Sequence, residues 1–202
     1  AQLEKEVEAH EEHVMSLEEE KQILANQEAT LQKAIEEAKK KEEEARKARE
    51  AQKSSNSTYV APVSNGKFVR PTSGRVKSEF GYRFHPIHRK KKLHAGIDIG
   101  GQLGDPVYSV ADGVVNRAYY SKSYGNVVYI IHYIDGKKFE TVYAHLSSIA
   151  VSEGQVVSKG QYIGGKGSTG DSTGVHLHFE IHEGLWNSSK SNAVDPRKYI
   201  SF

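Results

Sequence analysis

In Val175-His176-Leu177-His178-Phe179-Glu180-Ile181-His182, polar side chains recur at every second position. In an extended strand that spacing puts His176, His178, Glu180 and His182 on one face and Leu177, Phe179 and Ile181 on the other. The apolar face can pack a core. The polar face carries neighbouring imidazoles about 6.5–7 Å apart. That distance suits one histidine binding a metal while the other reaches a water or substrate at the ion. His182 would lie roughly 13 Å from His178, too far to share the ion, and reads as a surface or hydrogen-bonded histidine. Glu180 faces the same side and reads as a hydrogen-bonding group behind the site. A His-x-His alone is more often a pair of ordinary half-exposed histidines, so its weight depends on its company.

Two other segments supply that company. His94-Ala95-Gly96-Ile97-Asp98-Ile99-Gly100 holds an imidazole and a carboxylate, both good zinc ligands. Its glycines and β-branched residues argue against a helix. A bent strand or loop can bring the two side chains together, with Gly96 supplying the conformational freedom. The bland alternative is an Asp that caps a turn beside an exposed His94. Tyr143-Ala144-His145-Leu146 closes a predicted strand, where functional side chains often project. With no cysteine in the chain, any metal must take histidine and carboxylate ligands.

The elements that position these residues are short strands between turn signals. Val107–Val110, Val114-Val115, Asn126–His132, Phe139–Ala144, Gln155–Val157, Gln161–Gly164 and Val175–His182 are all β-rich. Asp112-Gly113 and Asp135-Gly136 mark turns, the second between two long strands that read as a hairpin. The fold class expected is mainly β, an antiparallel sheet or sandwich, preceded by a long helix. The helix occupies residues 1–53, where Glu, Lys, Ala and Gln dominate and no glycine, proline or aromatic residue occurs. Leu3, Val7, Val14, Leu17, Leu24, Leu31, Ile35 and Ala38 follow a 3-4 spacing broken by His10, Lys21 and Glu28. This is the seam of a coiled coil or helical hairpin, whose partner is a second copy, another segment of the chain or the β domain. A Ser- and Asn-rich linker over 54–66 makes helix and domain separate bodies, with the β domain over 67–202.

These ordered motifs resemble the M23 family of peptidases, the lysostaphin and LytM type. The likeness rests on His94-x-x-x-Asp98, His176-x-His178 and Tyr143-Ala144-His145-Leu146 together. Phe80–Pro86, Gly154–Gln161, Gly167-Ser168-Thr169-Gly170 and Val194-Asp195-Pro196 also fit it. The resemblance covers the chain after about residue 70 and none of the helix. It implies zinc held by His94, Asp98 and His178, with His145 and His176 as catalytic histidines. Three protein ligands leave a zinc position open, as catalytic sites require. Some relatives carry a tyrosine six residues before the first ligand; His88 stands there in this chain.

The substrate implied is the peptide part of bacterial peptidoglycan, and the implied location is outside the cytoplasmic membrane. The net charge of +2, with no basic stripe carrying aromatics, argues against nucleic acid. The helix is expected to regulate the domain, to bind a membrane-protein partner or to self-associate. No apolar run reaches the length of a membrane span. The chain begins inside the helical pattern, as a trimmed fragment without its targeting segment would. Two competing functions are a non-catalytic activator of other wall hydrolases, which would lack zinc ligands, and a carrier module built on a similar sandwich.

Overall fold

The structure is a computed structural model that describes residues 17–54, 68–84 and 91–202. The upstream part of the seam, His88 and nearly all of the linker lie outside the described residues. The architecture is mainly antiparallel β with one long helix, α1, over Leu17–Ser54. In chain order the strands are β1 Val76–Ser78, β2 Gly81–Phe84, β3 Lys91–His94, β4 Ile97–Gly100, β5 Pro106–Tyr108 and β6 Gly113–Ser121. They continue as β7 Gly125–Ile134, β8 Lys137–Ile149, β9 Val156–Val157, β10 Tyr162–Lys166, β11 His176–Glu183 and β12 Ala193–Val194. A short 3-10 turn follows at Pro196–Lys198.

The main sheet runs β1-β4-β11-β8-β7-β6-β9, with β10 pairing β5 and β8, and β12 pairing β11. β2 and β3 form a separate ribbon. Asp135 and Gly136 both take positive φ and close the tight β7–β8 hairpin, as expected of Asp-Gly.

One face of the sheet buries Leu177, Phe179 and Ile181 with Ile97, Ile99, Val128, Ile130 and Tyr143. Each such side chain removed from water contributes about 1.5–3 kcal/mol. The opposite face carries the polar side of β11. Farther along, Val127, Tyr129, Val142 and Ala144 are covered there by Trp186. Coverage on both faces explains why β7 reads as an unbroken apolar run without alternation.

The helix lies on this second face, against the expectation of separate bodies. Ala34 packs on Val114 and Ile131, with Leu31 beside them. Contact runs from Asn26 to Lys41, about 22 Å of helix. The inward stripe is Ile23, Gln27, Leu31, Ala34 and Ala38, which keeps Leu31 and Ala38 of the expected seam and takes the residues one position before Leu24, Glu28 and Ile35. Leu24, placed in that seam by its spacing, is 57% exposed. The physical reason is a polar seat. Gln27 is buried, and its amide donates to Glu140 Oε2 at 2.9 Å and to the Trp186 carbonyl at 2.8 Å. Glu140 is itself fully buried and also accepts from Asn116 Nδ2 and the Trp186 N–H. Arg117 lies 3.9 Å from Glu140, with its guanidinium over the Tyr129 and Trp186 rings. Among the described residues, no helix is long and apolar enough to cross a membrane.

Candidate metal and catalytic site

Three strands bring His94, Asp98 and His178 together. His94 ends β3, Ala95-Gly96 links it to β4, and Asp98 lies within β4. Asp98 and His178 are direct cross-strand partners on the β4–β11 ladder. Gly96 contributes differently from the expected backbone freedom. A Cβ there would lie 2.2 Å from the Phe179 carbonyl oxygen, so its role is to let β4 approach β11 closely.

His94 Nδ1 donates to the Glu79 carbonyl at 2.8 Å, which turns Nε2 inward. That nitrogen lies 3.1 Å from Asp98 Oδ1 and 3.1 Å from His178 Nδ1. His178 Nδ1 is 2.9 Å from Asp98 Oδ1, and its Nε2 donates to Glu180 Oε1 at 2.9 Å. One ligand atom from each residue thus falls within 4.8 Å of the other two. Two imidazole nitrogens and a carboxylate oxygen suit zinc and leave room for a further ligand. Glu79 is gripped by both Arg197 Nε and Nη2 at 2.8 Å, so the turn after β12 braces the segment that holds His94.

The electrostatics match a cation site. Burial pushes the Asp98 carboxyl up, but hydrogen bonds from His178 and His94 outweigh it and hold the group well below the usual carboxylate range. Burial pushes the His178 imidazole down, yet hydrogen bonds to Asp98 and Glu180 raise it to about 8. That edge therefore favours a positive charge, as a proton or a metal ion.

His145 and His176 flank the group. His145 sits near the end of β8 with φ +60. Its Nδ1 donates to the Thr169 carbonyl at 2.8 Å. The His145 ring lies 4.8 Å from that of His176 and 6.0 Å from that of His178. His176 Nδ1 donates to the Gly174 carbonyl at 2.8 Å, and its Nε2 is 3.8 Å from Asp98 Oδ1. In both rings the backbone takes the Nδ1 proton, leaving Nε2 as an acceptor. Burial pushes His145 down to about 4, with the neighbouring His178 adding to the shift, so its ring is neutral at neutral pH.

Residues 92–196, more than half of the chain, match Peptidase family M23. The chain belongs to that family. This M23 chain is 48% identical over 106 residues to the DD-carboxypeptidase/endopeptidase Mpg of Neisseria meningitidis, covering 52% of the chain and 24% of that protein. It is 44% identical over 108 residues to the peptidoglycan DD-endopeptidase ShyA of Vibrio cholerae, covering 53% of the chain and 24% of that protein. The match thus spans about a quarter of these relatives' length. Among solved structures, a zinc-containing peptidase from Vibrio cholerae superposes with a TM-score of 0.57 at 35% identity, over 64% of this chain and 39% of that one. The lysostaphin catalytic domain of Staphylococcus simulans gives 0.53 at 34% identity, over 61% and 91%.

All five site residues expected of the M23 likeness fall in one cluster. His182 is fully buried, bridging Glu180 Oε2 at 2.8 Å and Asn192 Oδ1 at 3.0 Å. Tyr124 escaped the sequence reading. Its hydroxyl donates to Glu180 Oε1 at 2.6 Å and its ring lies 5.9 Å from that of His178. It stands outside every recognisable motif, so nothing in its neighbours marks it.

Proposed function

We propose that this M23 chain is a zinc-dependent endopeptidase that hydrolyses peptide cross-links of bacterial peptidoglycan, outside the cytoplasmic membrane. The observation that carries the reading is the convergence of His94, Asp98 and His178, with two backbone-anchored histidines beside them. The substrate is supported by the DD-endopeptidases among the relatives.

His94 Nε2, Asp98 Oδ1 and His178 Nδ1 would hold the metal. When bound, zinc supplies Lewis acidity that polarises a carbonyl and acidifies water. His145 and His176 act through their Nε2 atoms: one, unprotonated, takes a proton from the attacking water, and the other hydrogen-bonds the carbonyl oxygen when its Nε2 also carries a proton. The same pair returns the proton to the leaving amine. Both rings are anchored through Nδ1, so neither must reorient during the reaction.

Helix α1 is the regulatory or partner-binding element. Its seat on Glu140 is mostly polar, the character of reversible domain contacts. The exposed Leu24 side is the surface that a second helix would take.

The test measures zinc content and muralytic activity in His178→Ala and His145→Ala. The first is expected to lose metal. The second is expected to keep metal and lose turnover. Retained activity in either contradicts the assignment, and a wild-type protein without zinc points to a non-catalytic activator.

A further inference from the structure

The fully buried Glu180 carboxylate meets four donors from three parts of the chain. Its Oε1 accepts from His178 Nε2 at 2.9 Å and from the Tyr124 hydroxyl at 2.6 Å, and lies 3.3 Å from Lys190 Nζ. Its Oε2 is 2.8 Å from His182 Nε2. The Lys190 ammonium also sits 4.8 Å from the centre of the Tyr124 ring, closing the cage from the loop after β11.

The consequence for His178 is geometric. An imidazole on a strand can present either nitrogen to the site, and the partner of one nitrogen decides the role of the other. Glu180 captures Nε2, so Nδ1 is the edge that meets Asp98 and His94. Tyr124 adds a second link. Its main-chain carbonyl accepts the His145 N–H at 2.8 Å, while its hydroxyl secures Glu180. One residue therefore ties the backbone of His145 to the carboxylate behind His178. His145 holds a left-handed φ that non-glycine residues seldom adopt, so its placement requires such external restraint.

We propose that Glu180 and Tyr124 are positioning residues: together they fix the metal-facing edge of His178 and hold His145 in a set relation to it. This rests on the reading of His178 as a metal ligand. A buried carboxylate serving only the core would explain the burial, but not why its donors include the back edge of His178 and a tyrosine whose other end carries His145.

The experiment compares wild type, Glu180→Gln and Tyr124→Phe. Zinc affinity is measured by chelator competition, kcat and KM on cross-linked muropeptides, and melting temperature in parallel. Glu180→Gln is expected to weaken zinc binding by about 10–100-fold. Tyr124→Phe keeps the ring and removes one oxygen. It is expected to weaken zinc by about tenfold and to lower kcat with KM unchanged. If Glu180→Gln does not fold, Tyr124→Phe decides alone. Variants that keep wild-type zinc affinity and kcat overturn the inference, even if their melting temperature falls. Wild-type protein that takes up no zinc overturns the metal reading and this inference with it; zinc-binding wild type with unaffected variants overturns only the inference.

Discussion

Replacing Gln27 with alanine should release helix α1 from the sheet without unfolding the sheet. The side chain gives two hydrogen bonds, one to the Glu140 carboxyl at 2.9 Å and one to the Trp186 carbonyl at 2.8 Å. A neutral hydrogen bond contributes about 1 kcal/mol and one to a charged acceptor about 1.5–3 kcal/mol, so docking loses about 3 kcal/mol. Glu140 keeps Asn116 Nδ2 at 3.0 Å and the Trp186 N–H at 2.7 Å, so its own burial remains satisfied. The rest of the contact is a small apolar cluster of Ala34 and Leu31 with Val114, Ile131, Val156 and Leu185, plus exposed polar links from Lys33 to the Gly154 carbonyl and from Lys41 to Asp112. At tenfold per 1.4 kcal/mol, the undocked population rises on the order of a hundredfold. Amide hydrogen exchange read by mass spectrometry checks this. Peptides within residues 20–48 should lose protection by about that factor, while β7 and β8 keep theirs. Leu24→Ala, on the exposed side, should change nothing in the same assay. Equal helix protection in wild type and Gln27→Ala would refute the polar seat as the anchor.

Phe179→Ala should lower unfolding free energy by about 3–5 kcal/mol in denaturant titration, because the ring is fully buried in the core on the face opposite His178. Gly96→Ala should reduce both melting temperature and calorimetric zinc affinity, since its Cβ would meet the Phe179 carbonyl at 2.2 Å and part β4 from β11. The buried His132 is pushed down to about 4 by burial, against an unfolded value near 6.5. Its contribution is therefore fully present above pH 6.5 and is lost as pH falls toward 4, about 3 kcal/mol in all. Stability of His132→Gln against pH should be flatter than wild type across that window; parallel curves would count against the assignment.

The strand carrying the site could be read because its alternation is strict. Leu177, Phe179 and Ile181 are all fully buried, and the side chains between them form the opposite face. Asp135-Gly136 marked its hairpin because few other pairs accept positive φ at both positions. The convergence of His94, Asp98 and His178 was legible only through the combination of motifs, since no single segment specifies a meeting across 84 residues. The β domain was one of the partners the helical seam allowed, but the polar anchor of the docking was not legible. A glutamine in a charged helix reads as solvent-facing, and its burial is decided by Glu140, 113 residues away. For the same reason the polar face of β11 gave no sign that Glu180 and His182 are sealed off.

The pairing of Asp98 directly opposite His178 carries a consequence for how the protein matures. A ladder slipped by one step would point the aspartate into the hydrocarbon interior and set Ile97 or Ile99 opposite the imidazole. On the proposed metal reading, a newly made chain would have no grip on a divalent ion until β3, β4 and β11 have aligned, and loading would become a checkpoint that only correctly assembled molecules pass. Uptake of a spectroscopic ion such as cobalt during refolding would then time the alignment of these three strands.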